Sequence, residues 1–225
     1  VRRYYLPRSP EATLVRDSEA NLNDALGQYV AKAIMKDIRD GTPLDDDVAA
    51  SCNSLPLVDW LRNEVRPQDA DRVLDMFSSA KPGLVALGAS LLRGLKDVTG
   101  MQDRLQTEWE LRRDFDHRYR LMWRLLDYPL TADFHDQLYR FTRENWSAFL
   151  AGQPSFFGAG PDVLPSVETR LADRRFPPTK AWAYLCCAKA SPDTDGVTRL
   201  LRSYAEGASG DDMAQRVARE LMSLA

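Results

Sequence analysis

Isoleucine occurs only twice in these 225 residues, at Ile34 and Ile38, and the other β-branched residues are modest at 13 Val and 10 Thr. Leu (29) and Ala (25) abound instead. β-Branched side chains suit strands, and Leu and Ala suit helices. The composition therefore predicts a mostly or wholly α-helical chain, read here as all-α. Lys (6) and Glu (9) are scarce beside 24 Arg and 24 Asp, a skew that a GC-rich genome produces and that leads us to expect a bacterial source. The net charge of −3 excludes a polycation built to coat nucleic acid.

Three cysteines, Cys52, Cys186 and Cys187, are too few and too oddly placed for a disulfide framework. Reduced thiols and a cytoplasmic location are expected. No charged-then-apolar leader is visible at the start, so no secretory signal is expected. No apolar run approaches the 18 or so residues of a membrane span, so no membrane association is expected.

Most of the familiar chemistries are missing as well. No P-loop, no nucleophile elbow and no dinucleotide fingerprint is present; Gly158-Ala159-Gly160 runs straight into Pro161 and follows no strand pattern. Ser191 to Gly196 resembles a calcium loop only briefly. A bidentate Glu is needed at position twelve, and Arg202 stands there, so this segment is read as a helix N-cap turn. Cys186 and Cys187 are adjacent and diverge by about 100° on a helix, so they cannot chelate as a spaced pair can. With no Glu-x-x-His in the chain, no metal and no cofactor are expected.

Proline maps what is there. Each of the thirteen should mark a loop or the first turn of a helix. Residues 1–16, with Arg2, Arg3, Tyr4 and Tyr5, have no period and read as an extended N-terminal arm. From Ser18, apolar residues at Leu22, Leu26, Tyr29, Val30, Ala33, Ile34 and Ile38 predict an amphipathic helix stopping at Gly41. The run Asp45-Asp46-Asp47 suits a helix N-terminus. Pro56, Pro67 and Pro82 open further helices, and Gly88 on the apolar side of the last would allow close approach of a neighbour. No proline falls between Gly83 and Tyr128, which predicts a long central helix over about 101–127, roughly 40 Å in length. The Gly/Pro-rich stretch 152–161 is the expected boundary, and short helices follow, capped by Asp193 and Ser209. The expected organisation is thus arm 1–16, helical domain 17–152 and short-helix repeats 153–225 packed on it as one continuous domain. Paired short helices predict either an α-solenoid-like stack of antiparallel pairs or an irregular helical bundle.

On a continuous central helix, Leu111, Phe115, Tyr119, Met122 and Leu126 share one face. Arg113, His117, Arg120 and Arg124 form a basic ridge opposite, flanked by Trp109 and Trp123. Arginines can hold phosphate or carboxylate, and Trp can stack on a base or an apolar group. These six residues are the candidate partner- or nucleic-acid-binding site. Glu110, Asp114 and Asp116 beside them reduce the potential to nearly neutral. The functional expectation is a non-enzymatic helical scaffold for a protein partner, with self-association through the N-terminal arm allowed. The alternatives are nucleic-acid binding by the ridge, and an enzyme with an unfamiliar site at Asp114, Asp116, His117 and His135.

Overall fold

The computed structural model describes residues 10–53, 57–157, 162–207 and 212–224, with backbone only over 10–23 and 154–157. Among the described residues there are thirteen α-helices and no strand. They are α1 (Pro10–Asp40), α2 (Asp46–Cys52), α3 (Leu57–Glu64), α4 (Ala70–Phe77), α5 (Pro82–Leu91), α6 (Met101–Leu111), α7 (Phe115–Leu125), α8 (Ala132–Glu144), α9 (Trp146–Phe157), α10 (Leu164–Ala172), α11 (Ala181–Ala188), α12 (Thr194–Glu206) and α13 (Asp212–Ser223). The chain divides into two compact units, residues 1–128 and 129–225.

The first unit is built round α5. Pro82 opens this helix, and Val85, Leu87, Ala89 and Leu91 bury nearly every side of it. A helix apolar all round belongs in a core, and α2, α3, α4 and α7 all pack on it. Gly88 permits the close approach of α4. A methyl group there would lie 2.7 Å from the backbone nitrogen of Phe77 on α4 and 2.9 Å from its Cα. The acidic run acts locally as expected: Asp45 caps α2 by accepting from the Asp47 amide at 2.9 Å. Asp46 reaches across to accept from the Leu84 amide in the first turn of α5 at 3.0 Å.

Helix α1 lies along α3, where Gly27 leaves room for the Trp60 ring. Its C-terminal turn is fixed by Arg39. The guanidinium donates to both carboxylate oxygens of Asp69, at 2.9 and 3.0 Å, and to the Glu64 carbonyl. Asp69 is almost wholly buried and also accepts from the Arg66 amide.

The second unit is built round α11. Trp182, Leu185, Cys186 and Cys187 are fully buried, and α10, α12 and α13 contact the helix. Asp193 caps α12, accepting from the Gly196 amide at 2.9 Å, while Ser191 donates to Asp162 at 2.6 Å. The calcium-like segment is therefore a capping turn. In both units one apolar helix is enclosed by others, which is the irregular-bundle form of the expected all-α fold.

Three boundaries differ from the sequence reading. Helix α1 begins at Pro10, so residues 10–16 are helical and not an extended arm; proline is well placed in a first turn, and nothing in 11–40 breaks a helix outright. Residues 1–9 of the expected arm lie outside the described residues. Gly152 and Pro154 fall inside α9, so no loop begins at 152, and the division between units comes earlier, after Tyr128. Gly158, Gly160, Pro161 and the expected cap Ser209 lie outside the described residues.

The largest correction is the central helix over 101–127, which is two helices, α6 and α7. Arg112 and Asp114 adopt extended backbone, both with ψ 148°. Two local effects favour the break. Asp114 caps α7, accepting from the His117 amide at 2.9 Å. The carbonyls left over at the end of α6 meet arginine side chains: Arg118 donates to the carbonyls of Arg112 (2.8 Å) and Trp109 (3.2 Å), and Arg113 to those of Glu110 and Arg112. Leu111, expected inward, is consequently exposed.

Candidate functional site

The six ridge residues do not meet on one exposed face. Arg113 stands in the α6–α7 break, exposed and donating to backbone carbonyls. Arg120 is half-buried. Arg124 is buried and pairs with Asp127 at 3.5 Å. Trp109 and Trp123 are buried too. The Trp109 ring lies under the Arg118 guanidinium, 4.8 Å away, and Trp123 meets Tyr119 edge-on at 6.3 Å. Neither of these two tryptophans leaves a face for a base to stack on.

His117 is folded inward. Its ring meets Phe77 edge-on at 5.5 Å, and Nδ1 lies 2.6 Å from Asp114 Oδ1. Its Nε2 is buried, with no hydrogen-bond partner among the described residues. Asp114 therefore holds the first turn of α7 twice, through the His117 amide and through its ring. Partial burial opposes ionisation of Asp114, but these two contacts outweigh it and keep the carboxyl below its ordinary range. The sequence reading placed Asp114 and His117 together, and they are together, as a capping pair. Asp116 is exposed, and His135 lies in the other unit.

His135 sits at the start of α8. Trp182 on α11 donates its indole N–H to His135 Nδ1 at 3.1 Å. Nearby, the Tyr139 hydroxyl donates to Glu220 on α13 at 2.8 Å, and Arg143 pairs with the same carboxylate. Burial pushes the Tyr139 phenol well above its usual range; Arg143 pulls against this and Glu220 adds to it. Outside this core is an open cleft of about 430 Å³, lined among others by Leu130, His135, Asp136, Asp212, Met213 and Arg216. Arg216 is ion-paired with Asp136, so the one cation in the lining is already matched.

The cysteines offer no nucleophile. All three are free and buried, and burial pushes each thiol above its ordinary pKa. Among the described residues no group of three or more His, Cys, Asp or Glu could hold a metal ion, and no helix is long and apolar enough to cross a membrane.

One surface stands apart. On α1 the apolar residues divide between opposite sides of the helix. Ala31, Met35 and Ile38 are buried towards the unit's core. Leu26, Tyr29 and Val30 are 59, 71 and 36% exposed, and Ala33 is exposed beside them. Their i, i+3, i+4, i+7 spacing makes a helical stripe that no described residue covers. The sequence signal was present but was read as a single inward face. No family model, curated protein or solved structure matches the chain.

Proposed function

We propose that this chain is a non-enzymatic helical scaffold that holds a protein partner on the outer face of α1. The observation carrying this reading is the exposed stripe Leu26–Tyr29–Val30 on a helix otherwise fixed to the unit by Arg39–Asp69 and by Gly27 against Trp60. Scattered apolar residues need no explanation, but three on one helix face form the pattern used in helix-to-helix recognition. Covering each contributes on the order of 1–2 kcal/mol. The ionisable groups support the same reading from the other side. Asp114 caps a helix with His117, His135 accepts from Trp182, and the thiols are buried. Three free thiols go with a reducing, cytoplasmic setting. A nucleic-acid partner draws little support from Arg113, which serves backbone carbonyls, or from Arg124, which is buried beside Asp127.

The test is capture from native cells with the full chain and with Leu26→Glu/Tyr29→Glu. A partner identified this way and remade pure should bind the wild type, and bind the double variant at least tenfold more weakly. A partner held equally by both proteins, or none held by either, removes the reading.

A further inference from the structure

We propose that the His135–Trp182 contact is an acid-sensitive latch: at neutral pH it holds the start of α8 on α11, and protonation of His135 releases the ring into the adjacent cleft.

The donor sets the sign. Trp182 gives its indole N–H to His135 Nδ1 at 3.1 Å. An indole nitrogen has a proton to donate and no lone pair to accept with, and a protonated imidazole carries a proton on each nitrogen. Nδ1 therefore cannot take up a proton and keep Trp182, because two N–H groups would point at each other. The rings have little room to slip apart in place. Trp182 is fully buried, His135 is 7% exposed, and Tyr139 meets the indole edge-on at 5.6 Å. His117 is the opposite case. Its Nδ1 faces the Asp114 carboxylate, which accepts from the ring whether it is neutral or charged. Of the two histidines in the chain, His135 is the one that loses this partner in mild acid.

The surroundings give the charged ring a place to go. His135 lines the cleft of about 430 Å³ at the starts of α8 and α13. The other charged groups of that lining are Asp136 on α8 and Asp212 and Arg216 on α13, two carboxylates against one guanidinium. Arg216 is paired with Asp136, and Asp212 is exposed at the rim. The turn before α11 brings Thr179 to the lining, with Lys180 next in the chain. On the core side, Tyr139 and Arg143 of α8 share the Glu220 carboxylate of α13, and Cys186 of α11 is a buried thiol. A cationic ring turned outward meets the more negative side of its surroundings. The α8–α11 contact then loses its buried hydrogen bond, and the indole N–H is left unmatched in the core. Neutral and charged rings favour different arrangements, so pH shifts the population between them. The contribution of the latch is complete above the range of free histidine, about pH 6.5, and is lost as pH falls below it.

The experiment is nuclear magnetic resonance on the full chain from pH 8 to pH 5, with the wild type and His135→Asn. Asparagine keeps an oxygen that can accept from the indole and does not titrate. The readouts are hydrogen exchange of the Trp182 indole proton, corrected for the pH dependence of free indole, and the ring resonances of His135. In the wild type, protection of the indole proton should fall by up to tenfold for each pH unit below the histidine range, the limit for uptake of one proton. The indole resonance should move with the same midpoint as the His135 ring. In His135→Asn, protection should be equal at pH 8 and pH 5. Unchanged protection in the wild type overturns the proposal. So does an equal fall in His135→Asn, or an indole that moves at a midpoint different from that of His135. The comparison of midpoints needs only the wild type, so the test stands even where His135→Asn fails to fold.

Discussion

Trp182 donates to Nδ1 of His135 across the α8–α11 contact, with both rings buried. An indole N–H can only donate, so Nδ1 must carry a lone pair, and the neutral ring keeps its proton on Nε2. A histidine that the sequence offers only as part of an alternative enzymatic site is thereby fixed as a core acceptor. Trp182→Phe removes the donor and some volume, and should cost about 3 kcal/mol of stability in urea unfolding. His135→Phe combined with Trp182→Phe should show a coupling of about 1 kcal/mol between the two sites. Strict additivity would mean that the bond contributes nothing.

The Asp114–His117 cap has a pH dependence with a definite sign. The folded carboxyl titrates below its ordinary value of 3.8, chiefly through the backbone and ring contacts of His117 set against desolvation. Its contribution is therefore complete above about pH 4–5 and is lost as pH falls through the lowered folded value. Asp114→Asn keeps a capping oxygen but no charge, so its stability deficit at pH 7 should shrink towards pH 3. Asp114→Ala should lose about 1 kcal/mol more than Asn at pH 7. A deficit of Asp114→Asn that grows on acidification contradicts this assignment.

Gly88 sets the distance between α4 and α5. Alanine would gain about 1 kcal/mol of helix propensity, but its methyl group would fall within 3 Å of the Phe77 backbone, which cannot yield as a side-chain tip can. Overpacking of this kind costs about 1–3 kcal/mol. Gly88→Ala should lower the urea midpoint, and a raised midpoint would show that the helices separate freely.

Thiol titration offers a quick check of the cores. Cys186 and Cys187 are fully buried on α11, and Cys52 is nearly so on α2. Native protein at pH 8 should react with less than one equivalent of a thiol reagent over minutes, and with all three in urea. Rapid native labelling of two thiols would place α11 near the surface.

Much of this protein could be read from short stretches of its sequence. Leu and Ala without Ile fixed the helical class. Pro82 opens α5, and Asp193 and Thr131 cap their helices, because these effects act within four residues of where they are written. The α6–α7 break is also local, yet it was missed: Asp114 can serve either as a helical pair partner or as a cap. The choice fell to the cap once Arg113 and Arg118 could satisfy the freed carbonyls of α6.

That break took Trp109 and Arg113 off the helix that carries the rest of the candidate site. His117, Arg120 and Arg124 stay together on α7, where packing and not the break draws His117 and Arg124 inward. What the sequence could not decide was which apolar side of α1 lies inward. Leu26, Tyr29 and Val30 are as apolar as Ala31, Met35 and Ile38, and periodicity records spacing, not destination. Only tertiary structure, with Trp60 filling the space at Gly27 and Arg39 anchored on Asp69, turned one stripe to the core and left the other exposed. Burial depends on what distant parts of the chain bring against a face, and no local pattern encodes that.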